Sequence, residues 1–149
     1  MSLKDRLIED MKAAMKAKEE GKVRLSVIRM VRAAIKNAEI DKKQEFSDEQ
    51  VIEVLAREVK MRRDAMIEFQ KVARPDKVQE LEEEVAILMQ YLPRQLSEGE
   101  IRQLATDIIS EVGAQGSRDL GKVMSAITPK TRGKADGKLV NQIVRELLG

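Results

Sequence analysis

The sequence predicts an all-α protein from three observations. Aromatic residues make up only 2% of the 149 residues, whereas hydrophobic residues, including eight methionines, make up 42%. Charged residues reach 36%, and runs of β-branched residues are few. Apolar residues recur every three or four positions, which is the period of an amphipathic helix. We therefore expect helices that pack around aliphatic cores.

Four helices are predicted in the N-terminal part, as a helical hairpin or bundle. They are expected at residues 3–18, 23–40, 48–72 and 76–92. Ser2 and Ser47 can each cap a helix, and Asp5 and Gln50 complete the capping boxes three residues later. Gly21 is expected to end the first helix in the left-handed conformation that glycine adopts without strain.

Two features of these helices have alternative interpretations. Arg62 falls in the apolar seam of the third helix, and we expect its aliphatic stem to pack while the guanidinium reaches the edge. The alternative is a contact with another domain or a partner. Lys22, Arg29 and Lys36 recur at seven-residue spacing along the second helix, which is typical of a solvated face but also suits a partner.

A small three-helix domain is predicted at the C-terminus. Pro93 ends the fourth helix and Ser97, with Glu100, opens the next one, so the domains are assigned as residues 1–95 and 96–149. Helices are expected at 98–112, 120–128 and 137–148. Gly113 is expected to close the first of these, Pro129 to stop the second and Asp136 to cap the third.

Several classes of chemistry are excluded by residues that the chain lacks. It has neither cysteine nor histidine, which removes thiol nucleophiles, disulfides, Cys/His zinc sites and imidazole bases. We predict no catalytic residue, metal site or cofactor. No apolar run reaches the roughly 18 residues of a membrane span, and the N-terminus lacks the apolar region of a signal peptide. We therefore expect a cytoplasmic protein that does not enter membranes.

One segment approaches a phosphate-binding loop but departs from the pattern. Residues 116–123 read GSRDLGKV, in which Val123 stands where the motif requires serine or threonine for magnesium. The motif also follows a buried strand, whereas a helix is predicted here. We interpret the segment as a turn in which Gly121 allows the next helix to pack closely.

The excess of positive charge lies in one short region. Residues 118–138 contain six basic residues and two acidic ones: Arg118, Lys122, Lys130, Arg132, Lys134 and Lys138 against Asp119 and Asp136. A basic loop of this kind suits the phosphates of a nucleic acid. Because aromatic residues are few, a structured RNA recognised by its shape fits better than stacked single strands. The alternative is a solvated loop in which Asp136 merely caps a helix.

Three stretches of the chain resemble the bacterial YqeY family. They are residues 91–101 (YLPRQLSEGEI), residues 121–124 (GKVM), and residues 133–137 (GKADG) followed by Val140, Asn141 and Val144. The opening helices, with SVIRMVR at residues 26–32, are similar as well, so that the resemblance covers essentially the whole chain. It implies a helical N-terminal domain and a three-helix C-terminal domain.

The family's C-terminal half is similar to the tail domain of the GatB subunit of glutamine-dependent tRNA amidotransferase. In that enzyme the tail domain holds the tRNA, and the chemistry occurs elsewhere. The resemblance therefore implies RNA contacts by Lys122, Lys130, Arg132, Lys134 and Lys138. It implies a shape-determining role for Gly121, Gly133, Asp136 and Gly137.

The resemblance also raises the question of an amidotransferase activity, that of a carbon–nitrogen ligase with glutamine as donor. A glutaminase needs an activated cysteine or a Ser-Ser-Lys arrangement, and the chain has neither cysteine nor adjacent serines. Our leading hypothesis is a non-catalytic protein that binds tRNA or structured RNA. The alternatives are a protein-interaction adaptor, through the hairpin or the basic face of the second helix, and an accessory factor of an amidotransferase.

Overall fold

Seven α-helices and no strand make up the computed structural model, which describes residues 1–149 and confirms the all-α class. The helices are α1 (Leu3–Lys16), α2 (Lys22–Lys42), α3 (Asp48–Lys71), α4 (Pro75–Met89), α5 (Glu98–Val112), α6 (Leu120–Thr131) and α7 (Gly137–Leu148). The chain divides into two units, Met1–Leu92 and Pro93–Gly149. None of the helices combines the length and the apolar run needed to cross a bilayer.

Serine caps begin three of the helices, as the sequence predicts. Ser2, Ser47 and Ser97 each accept a hydrogen bond from the backbone N–H three residues later, and the residue at that later position bonds back to complete a capping box. Gly113 closes α5 in the left-handed conformation with φ of 67°. These ends are set locally because each cap satisfies backbone groups that a helix terminus leaves without partners.

The N-terminal unit has an aliphatic core at the base of the α3–α4 hairpin. Leu7 of α1, Ile28 and Val31 of α2, Leu55 of α3 and Leu88 of α4 are fully buried there. Towards the turn of the hairpin, only Arg62 is buried on α3 beyond Val59, and no residue of α4 before Leu88 is buried. The end of the hairpin nearest its turn therefore has little buried core of its own.

Tyr91 ties the end of α4 to the first two helices. Its hydroxyl donates to the carboxylate of Asp10 on α1, and Arg24 on α2 donates to the same hydroxyl over 3.4 Å. The guanidinium of Arg6 lies 5.0 Å from the ring centroid, in cation–π geometry. Burial, and then the bond to Asp10, raise the pKa of Tyr91 to about 12. The phenol therefore stays neutral over the physiological pH range.

Arg62 is buried rather than extended to the edge, so the expectation of a side chain reaching solvent was wrong. Only 6% of the residue is exposed. Its Nε donates to Glu84 of α4 at 2.9 Å, and its Nη1 donates to both the carboxylate and the backbone carbonyl of Glu58 at 3.1 Å. A buried guanidinium is tolerated when its donors are satisfied in this way. The pair with Glu84 joins α3 to α4 within one unit.

Gly21 also has a different role from the one expected. Its φ is −95°, and Lys18 at the end of α1 takes the left-handed conformation instead. A Cβ at Gly21 would lie 2.2 Å from the backbone oxygen of Ala14. Glycine is required here because α1 and the start of α2 approach too closely for any side chain.

The buried ion pairs predict that Glu84→Ala lowers the free energy of unfolding by about 1–3 kcal/mol, since Arg62 stays buried with one carboxylate fewer. Adding Arg62→Met should restore part of the loss, because the buried guanidinium that lost a partner is then removed. Urea denaturation measures both variants. Glu83→Ala, at the exposed neighbour, is the control and should stay within about 0.5 kcal/mol. Equal losses at positions 83 and 84 would contradict this account.

The close approach at Gly21 predicts a loss of about 1–3 kcal/mol for Gly21→Ala, because backbone atoms must move apart to admit the methyl group. Gly121→Ala is the control, since a Cβ at that helical position meets no atom within 4 Å. Its expected effect is a gain of about 0.4–1 kcal/mol from a less flexible unfolded chain. Thermal denaturation measures both variants, and an unchanged melting temperature for Gly21→Ala would contradict the role of close packing.

Candidate RNA-binding surface

The C-terminal unit is a three-helix domain around an aliphatic core. Ile101 and Ile108 of α5, Ile127 of α6 and Ile143 and Val144 of α7 are buried to within 1% of full burial. The unit has no aromatic residue, so that its core depends on close fitting of branched side chains. The predicted basic residues lie on α6, in the α6–α7 connection and at the start of α7.

Pro129 does not stop α6, contrary to the sequence prediction. The helix continues through it to Thr131, and Lys130 therefore lies on the last turn of the helix rather than in the loop. Proline removes only the bond to the carbonyl of Ser125, and Ser125 is exposed to water. The buried Thr131 stabilises the extra turn by donating its hydroxyl to the carbonyl of Ile127 at 3.2 Å.

A tight turn at residues 132–136 joins α6 to α7. The N–H groups of Lys134 and Ala135 both donate to the carbonyl of Thr131, at 2.8 and 3.0 Å. Gly133 has a φ of 74°, which favours glycine, and Asp136 accepts from the N–H of Lys138 at 3.0 Å to cap α7. The predicted cap is thus confirmed. The turn has a defined conformation although its side chains are largely polar.

The segment before α5 donates two hydrogen bonds to this turn. The N–H of Leu96 donates to the carbonyl of Lys134 at 2.8 Å, and the Gln95 side chain donates to the carbonyl of Gly133 at 2.8 Å. The same amide of Gln95 donates to the carbonyl of Pro93 at 3.0 Å. The bonds to the turn link residues about forty positions apart, so local sequence patterns do not predict them. The one signal in the sequence is that Gln95 lies in the YLPRQLSEGEI stretch that resembles the YqeY family.

The five predicted RNA-binding residues are all exposed on α6, the turn and the start of α7. They are Lys122 and Lys130 on α6, Arg132 and Lys134 after it, and Lys138 in the first turn of α7. We call this set the basic surface. Lys122, Lys130 and Lys134 make no ion pair within the chain. Their charge is therefore available to an anionic partner.

Two arginines of this unit, Arg94 and Arg102, are paired with glutamates. Arg94 pairs with Glu100 at 2.7 Å, and this hydrogen bond lowers the pKa of Glu100 to about 2. Arg102 pairs with Glu146 at 2.6 Å and with Glu98 at 3.1 Å. All these partners lie on or near α5 and the end of α7. Lys122, Lys130 and Lys134 of α6 and the turn, which are exposed, have no such partner.

A hollow of about 200 Å³ opens beside the basic surface. It lies between the end of α6, the turn and the start of α7. Its lining is Met124, Thr128, Thr131, Arg132, Gly133, Ala135, Gly137 and Val140. Among these, only Arg132, Gly133 and Gly137 were predicted as site or shape-determining residues. The hollow itself was not predicted, because it depends on the packing of two helices that periodicity alone does not describe.

The glycines of the family motif differ in their structural roles. Gly133 is required by its positive φ, but neither Gly121 nor Gly137 has a positive φ. A Cβ at either of the two would meet no atom within 4 Å. The close packing expected at Gly121 is therefore absent. The segment before it is a 3₁₀ turn that follows helix α5 and no strand, which agrees with its interpretation as a turn.

The geometry defines a two-unit helical protein whose C-terminal three-helix domain carries an exposed basic surface. A family model described as "Yqey-like protein" matches residues 4–148. The chain therefore belongs to the YqeY family, as the resemblance implied. The match covers both units and includes every residue of the basic surface.

Two relatives show how far the similarity extends. "Altered inheritance of mitochondria protein 41, mitochondrial" of Kluyveromyces lactis is 37% identical over 125 residues, covering 78% of this chain and 66% of that protein. A glutamyl-tRNA(Gln) amidotransferase subunit of Thermococcus sibiricus is 46% identical over 55 residues, covering 34% of this chain and 9% of that protein. The chain thus spans just under two thirds of the first relative and a small part of the second.

The bonds of Gln95 predict that Gln95→Ala destabilises the turn. Loss of two hydrogen bonds should lower the free energy of unfolding of the C-terminal unit by about 1–2 kcal/mol. Amide hydrogen exchange should also become faster at Lys134 and Ala135. Gln103→Ala is the control, because Gln103 bonds only to Asp107 on the exposed side of α5. Equal exchange rates in the two variants would contradict the proposed hold on the turn.

Proposed function

We propose that this protein binds tRNA or another structured RNA through the basic surface of its C-terminal unit, without carrying out chemistry itself. The observation that carries the proposal is that Lys122, Lys130 and Lys134 are exposed and make no ion pair, whereas Arg94 and Arg102 of the same unit are paired. Membership of the YqeY family supports it, as does similarity to a protein named as part of a tRNA amidotransferase.

The rigidity of the surface favours binding to phosphates. Lys134 lies in the turn that Gln95 and Leu96 hold in place, and Lys130 lies on the last turn of α6. Charges that are already positioned lose less conformational entropy when they bind an anion. Release of counterions from the RNA then supplies most of the affinity. The absence of aromatic residues from this unit favours an RNA recognised by backbone and shape.

A salt-dependent titration of the full chain with tRNA, followed by fluorescence anisotropy, tests the proposal. Combined Lys122→Glu, Lys130→Glu and Lys134→Glu substitutions should weaken binding at least about tenfold at low salt. They should also reduce the slope of log affinity against log salt by about 0.7–0.9 for each phosphate that the protein no longer neutralises. The physical reason is the removal of cations that displace counterions.

The matched control is a variant with the same change in net charge in the other unit. Lys12→Glu, Lys16→Glu and Lys42→Glu alter three exposed residues of α1 and α2. This variant should retain most of the affinity and the slope of the wild type. An equal loss in both triple variants would assign the binding to total charge and overturn the site. No saturable binding by the wild-type chain at low salt would overturn the function.

A second candidate function is that of an accessory factor in amidotransferase activity, with glutamine as the donor of nitrogen. Similarity of part of the chain to the Thermococcus sibiricus protein favours it. The measurement is the rate at which an amidotransferase converts mischarged tRNA with and without this protein. A changed rate that the Lys122/Lys130/Lys134 variant abolishes would support this role, whereas an unchanged rate would exclude it.

A protein-interaction adaptor is the third candidate, and the α3–α4 hairpin favours it. Three large apolar side chains of the hairpin are exposed: Met61 and Ile67 on α3, and Val72 directly after it. Affinity purification with and without nuclease distinguishes a protein partner from one bridged by RNA.

The proposed compartment is the cytoplasm, and the name of the Kluyveromyces lactis protein makes mitochondria the alternative to test by cell fractionation.

A further inference from the structure

The hollow beside the basic surface has the lining of a site for a small ring system. Met124, Ala135 and Val140 are the apolar residues of its lining, and Thr128 and Thr131 are lining residues that carry hydroxyl groups. Pockets for whole cofactors occupy about 300–1,000 Å³. The volume here, about 200 Å³, is below that range, so the hollow suits one planar ring system rather than a complete nucleotide cofactor.

The two hydroxyl groups limit what a ligand can offer them. Thr128 donates its hydroxyl proton to the carbonyl of Met124 at 2.7 Å, and Thr131 donates to that of Ile127 at 3.2 Å. Their oxygens remain as acceptors, because the protons are already used. A ring that carries an amino group would complement them.

Gly137 keeps the mouth of the hollow open. It lines the hollow, its φ is not positive, and a Cβ there would meet no atom within 4 Å. Neither backbone strain nor packing within the chain therefore requires glycine at this position. A side chain at position 137 would instead occupy space that a ligand needs.

The surrounding positive charge favours a ligand that is anionic as well as planar. Arg132 belongs both to the lining and to the basic surface, and Lys130, Lys134 and Lys138 lie on the same end of α6, the turn and the start of α7. Guanidinium groups stack on the faces of bases and also bind phosphates. An apolar side chain from a second protein would use the walls but not the cations.

We propose that the hollow holds one unpaired nucleobase of the bound RNA, preferably one with an exocyclic amino group, while the flanking phosphates bind the basic surface. The inference rests on the proposed function. The cations then provide affinity for any polyanion, and the hollow adds affinity for an RNA that has an unpaired base at the right place. This division between general and base-dependent affinity can be measured.

The test uses the full chain and a substitution that fills the hollow. Gly137→Leu should weaken binding to tRNA about 5- to 30-fold, near the low end for removal of one base interaction because the walls are aliphatic. The salt slope should not change, because no cation is removed. Binding to heparin, a polyanion without bases, should also be unchanged. Gly121→Leu is the matched control, since it adds the same side chain at an open helical position outside the lining.

The outcomes separate this proposal from the function on which it rests. Wild-type affinity for tRNA in Gly137→Leu, with the salt dependence intact, would overturn the nucleobase site and leave RNA binding standing. An equal loss of tRNA and heparin binding would also overturn it, because the substitution would then have disturbed the cations. Failure of the wild-type chain to bind tRNA would overturn both the nucleobase site and the proposed function. A change in self-association alone would assign the hollow to a second copy and overturn the site.

A second measurement does not depend on the folding of a variant. Adenosine monophosphate and ribose 5-phosphate share a sugar and a phosphate but differ by the base. Methyl resonances of Met124, Ala135 and Val140 should shift in NMR spectra on addition of the first compound and not of the second. Equal shifts with both compounds, or none with either at millimolar concentration, would overturn the nucleobase site.

Discussion

The hold of Gln95 and Leu96 on the turn at residues 132–136 is the interaction on which the C-terminal site depends. The α6–α7 connection reverses direction within five residues, and its carbonyl groups at Gly133 and Lys134 accept hydrogen bonds from the segment before α5. The core of the unit then positions the three helices around that interaction. Both the basic surface and the hollow follow from it, since they are built on the turn and on the two helix ends that it joins.

The protein uses positive charge in two different ways. In the N-terminal unit Arg62 is buried and donates to three oxygens of Glu58 and Glu84, so its charge serves to connect α3 with α4. In the C-terminal unit the arginines near α5 are paired with glutamates, whereas lysines on α6 and the turn are exposed to water. A small net charge of +2 therefore conceals a strongly uneven distribution. Partner binding depends on that distribution rather than on the net charge.

Helix positions were predicted to within about three residues because their signals are local. Serine caps, apolar periodicity and Gly113 act through bonds between residues a few positions apart. The errors fall at positions where burial or a close contact decides the outcome, which local patterns do not describe. Pro129 stays inside α6 because a buried Thr131 and an exposed Ser125 make the missing bond tolerable. Gly21 and Arg62 likewise depend on neighbours from other helices, and no local pattern specifies those neighbours.

The sequence by itself determined the helical class, the family and the residues of the basic surface, because composition, helical periodicity and short motifs do not depend on how distant parts of the chain pack. Tertiary structure decided which of those residues carry available charge, since pairing depends on side chains brought together from distant positions. It also decided that Gly121 and Gly137 have no packing role inside the chain, a fact that only the empty space around them reveals. The hollow was likewise decided by tertiary structure, because residues of α6, the turn and α7 line it together.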